Sequence, residues 1–186
     1  MTQTALLLMD FQNGIANGHD TAVANAKIAA DAARAAGIPI VFVRVAFRPG
    51  YPEVSANNLR FSQIAEHAGD TMTLDHEATQ IRAELERRDD EPLVTKKRFS
   101  AFAGSDLDVI LAGLGATELV LAGISTAGVV LSTLRQAADL DYRLTVLADA
   151  CADRDEEIHR VLTEKVFPIQ ADVRGAADWA ARVSVA

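Results

Sequence analysis

Short runs of consecutive apolar residues alternate along this chain with longer alanine-rich amphipathic stretches. That alternation narrows the fold more than any single motif. A strand apolar on successive positions has both faces buried, as in a parallel sheet covered by helices on each side. The pattern predicts strands over Ala5–Asp10, Ile38–Val45, Leu93–Thr95, Glu118–Ala122, Arg143–Leu147 and Ile169–Val173. Between them it predicts helices over Asp20–Ala36, Glu77–Arg87, Ser105–Leu114, Ala127–Leu140, Asp155–Lys165 and Gly175–Val183. Gly37-Ile38-Pro39 closes the first helix and opens a strand, and Leu114-Gly115 does the same before the fourth strand. Ser105 and Asp155 are expected N-caps. Such strand–helix alternation implies right-handed crossovers and a sheet with helices on both faces.

The 186 residues fit one domain over 1–186, with no linker or repeat. Arg48 to His76 lacks clean periodicity and carries Pro49-Gly50-Tyr51-Pro52 and Asn57-Asn58. It reads as a loop with a short helix over the strand ends, where Phe47, Tyr51 and Phe61 would shape specificity. The formal charge of −8, without a basic run, argues against nucleic acid as a partner. No apolar stretch approaches the ~20 residues of a membrane span, and no signal peptide is evident. A single cysteine, Cys151, excludes an internal disulfide, so a cytoplasmic location is expected.

In an open α/β sheet, ligands bind beyond the carboxyl ends of the strands. Asp10 ends the first strand directly after an apolar run. Paired with a lysine it would stay charged and serve as a base; against an apolar wall it would stay protonated and serve as an acid. It would equally suit a cap for the amides of Asn13 or Gly14. Lys96, Lys97 and Arg98 follow the third strand, and at most one is expected to enter a cleft. Gly123-Ile124-Ser125-Thr126-Ala127-Gly128-Val129 turns from the fourth strand into a helix, whose N-terminal amides favour a carboxylate or oxyanion. The same glycines would also serve a merely tight turn. His19, His67, His76 and His159 are scattered, without metal-site spacing, and Cys151 reads as a small buried residue.

Four segments occur in an order and spacing that go together: Asp10-Phe11-Gln12, Lys96-Lys97-Arg98-Phe99-Ser100-Ala101-Phe102, Gly104-Ser105-Asp106-Leu107, and Gly123 through Val129. Over nearly the whole chain the sequence resembles the isochorismatase-like, or cysteine hydrolase, superfamily. The resemblance implies a three-layer, doubly wound α/β sandwich around a mainly parallel six-stranded sheet. It also implies a homo-oligomer, dimer or tetramer, acting on a small-molecule substrate. In typical members a cysteine at the position of Val129 attacks an amide, with the aspartate as base and the lysine in support. A cis peptide, here Ile124–Ser125, shapes an oxyanion hole with the N–H groups of Ser125 and Val129 as donors. The stretch Val45-Ala46-Phe47-Arg48-Pro49 lacks the Asp/His site of nicotinamidase-like members, so neither metal nor cofactor is expected.

A valine cannot form a thioester. Ser125 and Ser132 are poor substitutes, since Ser132 falls a helical turn beyond the slot and no histidine is expected near either. Isochorismatases proper also lack the cysteine and cleave a vinyl ether by proton transfer. By that resemblance Asp10 is the general acid and Lys96 a carboxylate anchor, with Gln12, Phe47, Phe102, Ser125 and Thr126 contacting substrate. An amide hydrolase using Asp10-activated water, and a non-catalytic metabolite-binding or structural member, are the alternatives.

Overall fold

In the computed structural model, which describes residues 3–184, six strands form one wholly parallel sheet: β1 (Thr4–Met9), β2 (Ile40–Val45), β3 (Leu93–Lys96), β4 (Glu118–Ile124), β5 (Arg143–Ala152) and β6 (Asp172–Arg174). Their spatial order is β3-β2-β1-β4-β5-β6. The chain therefore winds outward from β1 in one direction and from β4 in the other. The reversal leaves a crevice between these two strands at their carboxyl ends.

Both faces of the sheet are covered, as consecutive apolar positions require. Leu7, Met9, Val41 and Val43 pack with Leu107 and Leu111 of α3 (Leu107–Gly113) and Leu134 of α4 (Leu131–Asp139). Their sequence neighbours Leu6, Leu8 and Phe42 face the other way. They meet Ala26 and Ala30 of α1 (Asp20–Ala35) and Trp179 of α6 (Ala176–Val183). Alanine on the buried side of α1 has no long side chain to hold the helix away, so backbone and sheet approach closely. Gly37, at φ +67°, ends α1 in the left-handed conformation that a Cβ would disfavour.

Several local expectations need correction. Glu77–Arg87 is not a helix but two single 3-10 turns, Glu77–Thr79 and Ala83–Leu85. The Thr79 hydroxyl donates to the carbonyls of Thr73 and His76, and the Gln80 amide donates to those of Leu74 and His76. The His76 carbonyl, which a helix starting at Glu77 would use, is thus shared by two side chains. Ile81 forms an antiparallel bridge with Gln12, and Glu86 is left-handed at φ 48°. β5 runs on to Ala152 through a register irregularity beside β4. β6 begins only at Asp172, because Phe167–Ile169, containing Pro168, is a 3-10 turn that leaves Ile169 exposed. Ser105 lies just outside α3, where its Oγ accepts from the Leu107 N–H. Asp155 does cap α5 (Glu156–Val161), accepting from the N–H groups of Glu157 and Ile158.

At the crevice, Gly123 lies in register with Met9, and a Cβ there would sit 2.7 Å from the Met9 carbonyl oxygen. Backbone cannot yield as a flexible side chain does. Gly123→Ala is expected to destabilise the protein by about 1–3 kcal/mol, the usual range for overpacking. Urea unfolding followed by circular dichroism would measure it, and an unchanged midpoint would contradict it. Met9 directly precedes Asp10 and Gly123 lies just before Ser125, so the same strain would reach the crevice.

Candidate active site

Asp10 leaves β1 at φ 58° and is 4% exposed. Lys96, the last residue of β3, is 2% exposed and reaches across the end of β2. Its Nζ lies 2.9 Å from Asp10 Oδ2 and donates to the Arg98 carbonyl at 3.0 Å. Asp10 Oδ1 is buried without a hydrogen-bond partner among the described residues. Burial pushes the Asp10 carboxyl above the ordinary carboxylate range, and the Lys96 ammonium opposes that shift. Of the basic cluster only Lys96 reaches the crevice. Lys97 Nζ donates to the Ala46 carbonyl, while Arg98 donates to the carbonyls of Lys97 and Glu53.

Opposite Asp10, β4 enters a wide helical turn over Thr126–Val130 that continues into α4. The Ile124–Ser125 peptide is cis. The Ser125 carbonyl accepts from the N–H groups of Gly128 and Val130, and the Ser125 Oγ accepts from Gly128 at 3.1 Å. Two contacts from outside the turn hold it. Thr126 Oγ1 hydrogen-bonds His159 Nδ1 at 2.8 Å, and the Ala127 N–H donates to Asp153 Oδ2 at 2.8 Å. Part of the turn's positive end is therefore already matched by a carboxylate of the chain itself.

Between these walls lies a cavity of about 430 Å³, within the range of small-molecule sites. Asp10, Lys96, Ser125 and Val129 all line it, as do Val45, Ile124 and Gly128. α2 (Leu59–His67), the short helix of the Arg48–His76 insertion, covers it with Arg60, Phe61 and Ile64. His19, Phe99 and Arg154 complete much of the remaining wall.

Four expected substrate contacts are not in this lining. Gln12 is fully buried, and its side chain holds the chain together instead. Nε2 donates to the carbonyls of Val45 and Thr79, and Oε1 accepts from the Val45 N–H. Phe47 stacks beneath the insertion with Tyr51 and Phe61, at centroid distances of 5.5 and 5.8 Å. Phe102 belongs to the core under α3 and α4, and Thr126 is fully buried against His159. Phe61 lines the cavity as expected of the insertion, whereas Tyr51 does not. His19, Arg60, Phe99 and Arg154 also line it, though no motif in the sequence marks them as contacts. Phe61, Ile64 and Ala68 recur at helical spacing, which is the sequence signal that α2 turns one face inward.

Cys151, in β5, is 4% exposed, packs in the core and is absent from the lining. Burial pushes its thiol up to about 12. Iodoacetamide at neutral pH should leave Cys151 intact in the folded protein and alkylate it in urea, a contrast readable by mass spectrometry. Rapid labelling without denaturant would contradict this placement. Among the described residues no three His, Cys, Asp or Glu side chains group as a metal site, and no helix is long and apolar enough to cross a membrane.

Comparison with known proteins adds the ancestry of this arrangement. Residues 4–178 match the family model described as the isochorismatase domain. An uncharacterized isochorismatase family protein of Escherichia coli, YecD, is 34% identical over 182 residues, covering 94% of this chain and 93% of that protein. Ureidoacrylate amidohydrolase RutB of Pseudomonas syringae is 33% identical over 171 residues, covering 80% and 70%. Among solved structures, an isochorismatase family protein from Burkholderia thailandensis superposes with a TM-score of 0.84 at 29% identity, covering 98% of this chain and 96% of that one. N-carbamoylsarcosine amidase from Thermoplasma acidophilum superposes with a TM-score of 0.77 at 25% identity, covering 95% and 97%.

Proposed function

The chain belongs to the isochorismatase family, and we propose that within it this protein hydrolyses a small anionic metabolite by proton transfer from Asp10, without a covalent cysteine intermediate. One observation carries the reading. A buried carboxyl with an unpartnered oxygen faces a cavity to which Val129, and no thiol, is presented.

The chemistry follows from the environment. Burial favours the protonated form of Asp10, and Lys96 fixes the orientation of its other oxygen. With a vinyl ether, Asp10 delivers its proton to the terminal alkene carbon. Water then adds to the resulting oxocarbenium carbon, and the hemiketal collapses to a ketone and an alcohol, returning a proton to Asp10. The amides of Ser125 and Val129 are the proposed donors to the oxygen that departs as the hemiketal collapses, where negative charge develops. Lys96 is held against Asp10 and the Arg98 carbonyl, so its proposed part is to position Asp10 and supply positive charge. Incubation with isochorismate followed by assay of pyruvate tests the reaction.

Similarity to an amidohydrolase and an amidase favours a second reading, in which ionised Asp10 activates water for attack on an amide. The pH profile separates the two. An acid must be protonated, so kcat/KM for a vinyl ether falls as pH rises through the raised Asp10 value. A base must be ionised, so kcat/KM for an amide rises through that same value. Product analysis on a vinyl ether and on small amides, with the direction of the limb, decides between them.

A further inference from the structure

The loop from β1 to α1 contains two Asn-Gly pairs, Asn13-Gly14 and Asn17-Gly18. As sequence they offer the same chemistry. Glycine has no Cβ to crowd its nitrogen, which can close a five-membered ring on the side chain of the preceding asparagine. The fold treats the two pairs oppositely. Asn13 Nδ2 donates to the Glu77 carbonyl at 3.0 Å, and the Gly14 N–H donates to that of Ala78 at 2.9 Å. Gly14 is also packed so closely that an added Cβ would sit 3.1 Å from the Ala78 Cβ and carbonyl oxygen. Both reacting groups of that pair are pinned against the Glu77–Thr79 turn. Asn17 and Gly18 are exposed, and among the described residues neither the Asn17 side chain nor the Gly18 N–H has a hydrogen-bond partner. Gly18 sits at φ +83°, with nothing within 4 Å of where a Cβ would be. The His19 N–H, donating to the Ala16 carbonyl at 3.0 Å, spans the pair in a tight turn.

We propose that Asn17-Gly18 is a site of spontaneous deamidation in the folded protein, and that the fold protects Asn13-Gly14 from the same reaction. The Gly18 nitrogen gives its proton to solvent base and bonds to the Asn17 side-chain carbonyl carbon. The bond from that carbon to Nδ2 breaks, and ammonia leaves with a proton taken from solvent. Water then opens the succinimide at either carbonyl, leaving an aspartyl or an isoaspartyl residue at position 17. Either product places a negative charge just ahead of α1, where the helix dipole favours it. The isoaspartyl product also inserts a backbone carbon into the Ala16–His19 turn. Ile15 and His19, on either side of the pair, line the cavity, so the altered turn reaches the wall of the site.

The test needs no substrate. Wild-type protein would be held in mildly alkaline buffer, once folded and once in urea, and sampled over days. Peptide fragmentation by mass spectrometry distinguishes the two asparagines, and labelling by an isoaspartyl methyltransferase reports the isoaspartyl product. In the folded protein Asn17 should convert at least about tenfold faster than Asn13, because a pinned site reacts only through local opening. In urea the two rates should come together, both pairs then lying in a flexible chain. Asn17→Gln should remove most of the methyltransferase label from the aged folded protein. Equal rates in the folded protein, or no conversion of Asn17 there, would overturn the assignment. A contrast that persisted in urea would overturn it too, by tracing the difference to neighbouring sequence instead of the fold.

Discussion

Asp10→Asn lowers turnover of the protein's substrate by at least about 100-fold, the lower end of what a positioned proton donor contributes. The substitution keeps the shape of the side chain but removes the titratable proton from a carboxyl that carries the one buried side-chain oxygen without a partner among the described residues. It also takes from Lys96, 2.9 Å away and almost fully enclosed, the carboxylate that Lys96 pairs with whenever Asp10 has given up its proton. A buried ammonium without its carboxylate costs on the order of 3–5 kcal/mol. Lost activity must therefore be separated from lost fold. Asp10→Asn/Lys96→Met replaces the whole pair with uncharged groups, and should recover most of the stability and none of the activity. Rates would be read alongside circular dichroism and the urea midpoint. If the folded single variant kept more than about a tenth of the wild-type rate, proton transfer by Asp10 would be refuted.

The second large effect lies away from the cavity. Arg34 of α1 and Glu91, just before β3, have side chains only 8% and 9% exposed. They meet through two hydrogen bonds, Nε to Oε1 at 2.7 Å and Nη2 to Oε2 at 2.9 Å. Arg34 Nη2 also donates to the carbonyls of Leu85 and Glu86, and Glu91 Oε2 accepts from the Arg88 N–H. One ion pair thus anchors the non-helical 77–91 segment to α1. Glu91→Ala leaves the largely buried guanidinium with only the exposed Asp31 carboxylate in reach, 3.5 Å from Nη1, and should cost about 3 kcal/mol, the lower end for a broken buried pair. Burial works to raise the Glu91 pKa, but Arg34 and the Arg88 N–H outweigh it and hold it below the ordinary 4.5. A depressed carboxylate contributes stability above its unfolded pKa and loses it as pH falls through the folded value. The variant and wild-type should accordingly converge in strong acid. Urea unfolding followed by the fluorescence of Trp179, itself 5% exposed, would show both effects. A loss under about 1 kcal/mol at neutral pH would mean the pair behaves as a surface bridge.

Legibility in the sequence followed the range of the interaction. Parallel strands announce themselves because two buried faces demand consecutive apolar residues, and all six expected strands are present with shifted ends. Glu77–Arg87 carries a helical amphipathic pattern that is local, whereas the structure there is two 3-10 turns. The bonds that prevent a helix, from Thr79, Gln80 and the bridge to Gln12, depend on what the fold brings alongside. Gln12 shows the same limit at the site. The resemblance makes Gln12 a substrate contact, yet its two amide protons and its oxygen bond the backbone of Val45 and Thr79 instead.

The sequence alone determined the layered α/β architecture, the strand ends at which chemistry can occur, and the absence of any thiol except Cys151. Apolar periodicity, turn residues and side-chain chemistry are properties of single segments, so they can be read without coordinates. Tertiary structure decided the rest: that Lys96 rather than Lys97 or Arg98 meets Asp10, that one Asp10 oxygen lacks a partner, and that Arg60 and Arg154 share a cavity with that pair. Those are relations between residues far apart in the chain. Burial and pairing set the charge state of each group, and both exist only once β1, β3, β4 and the insertion have been packed together.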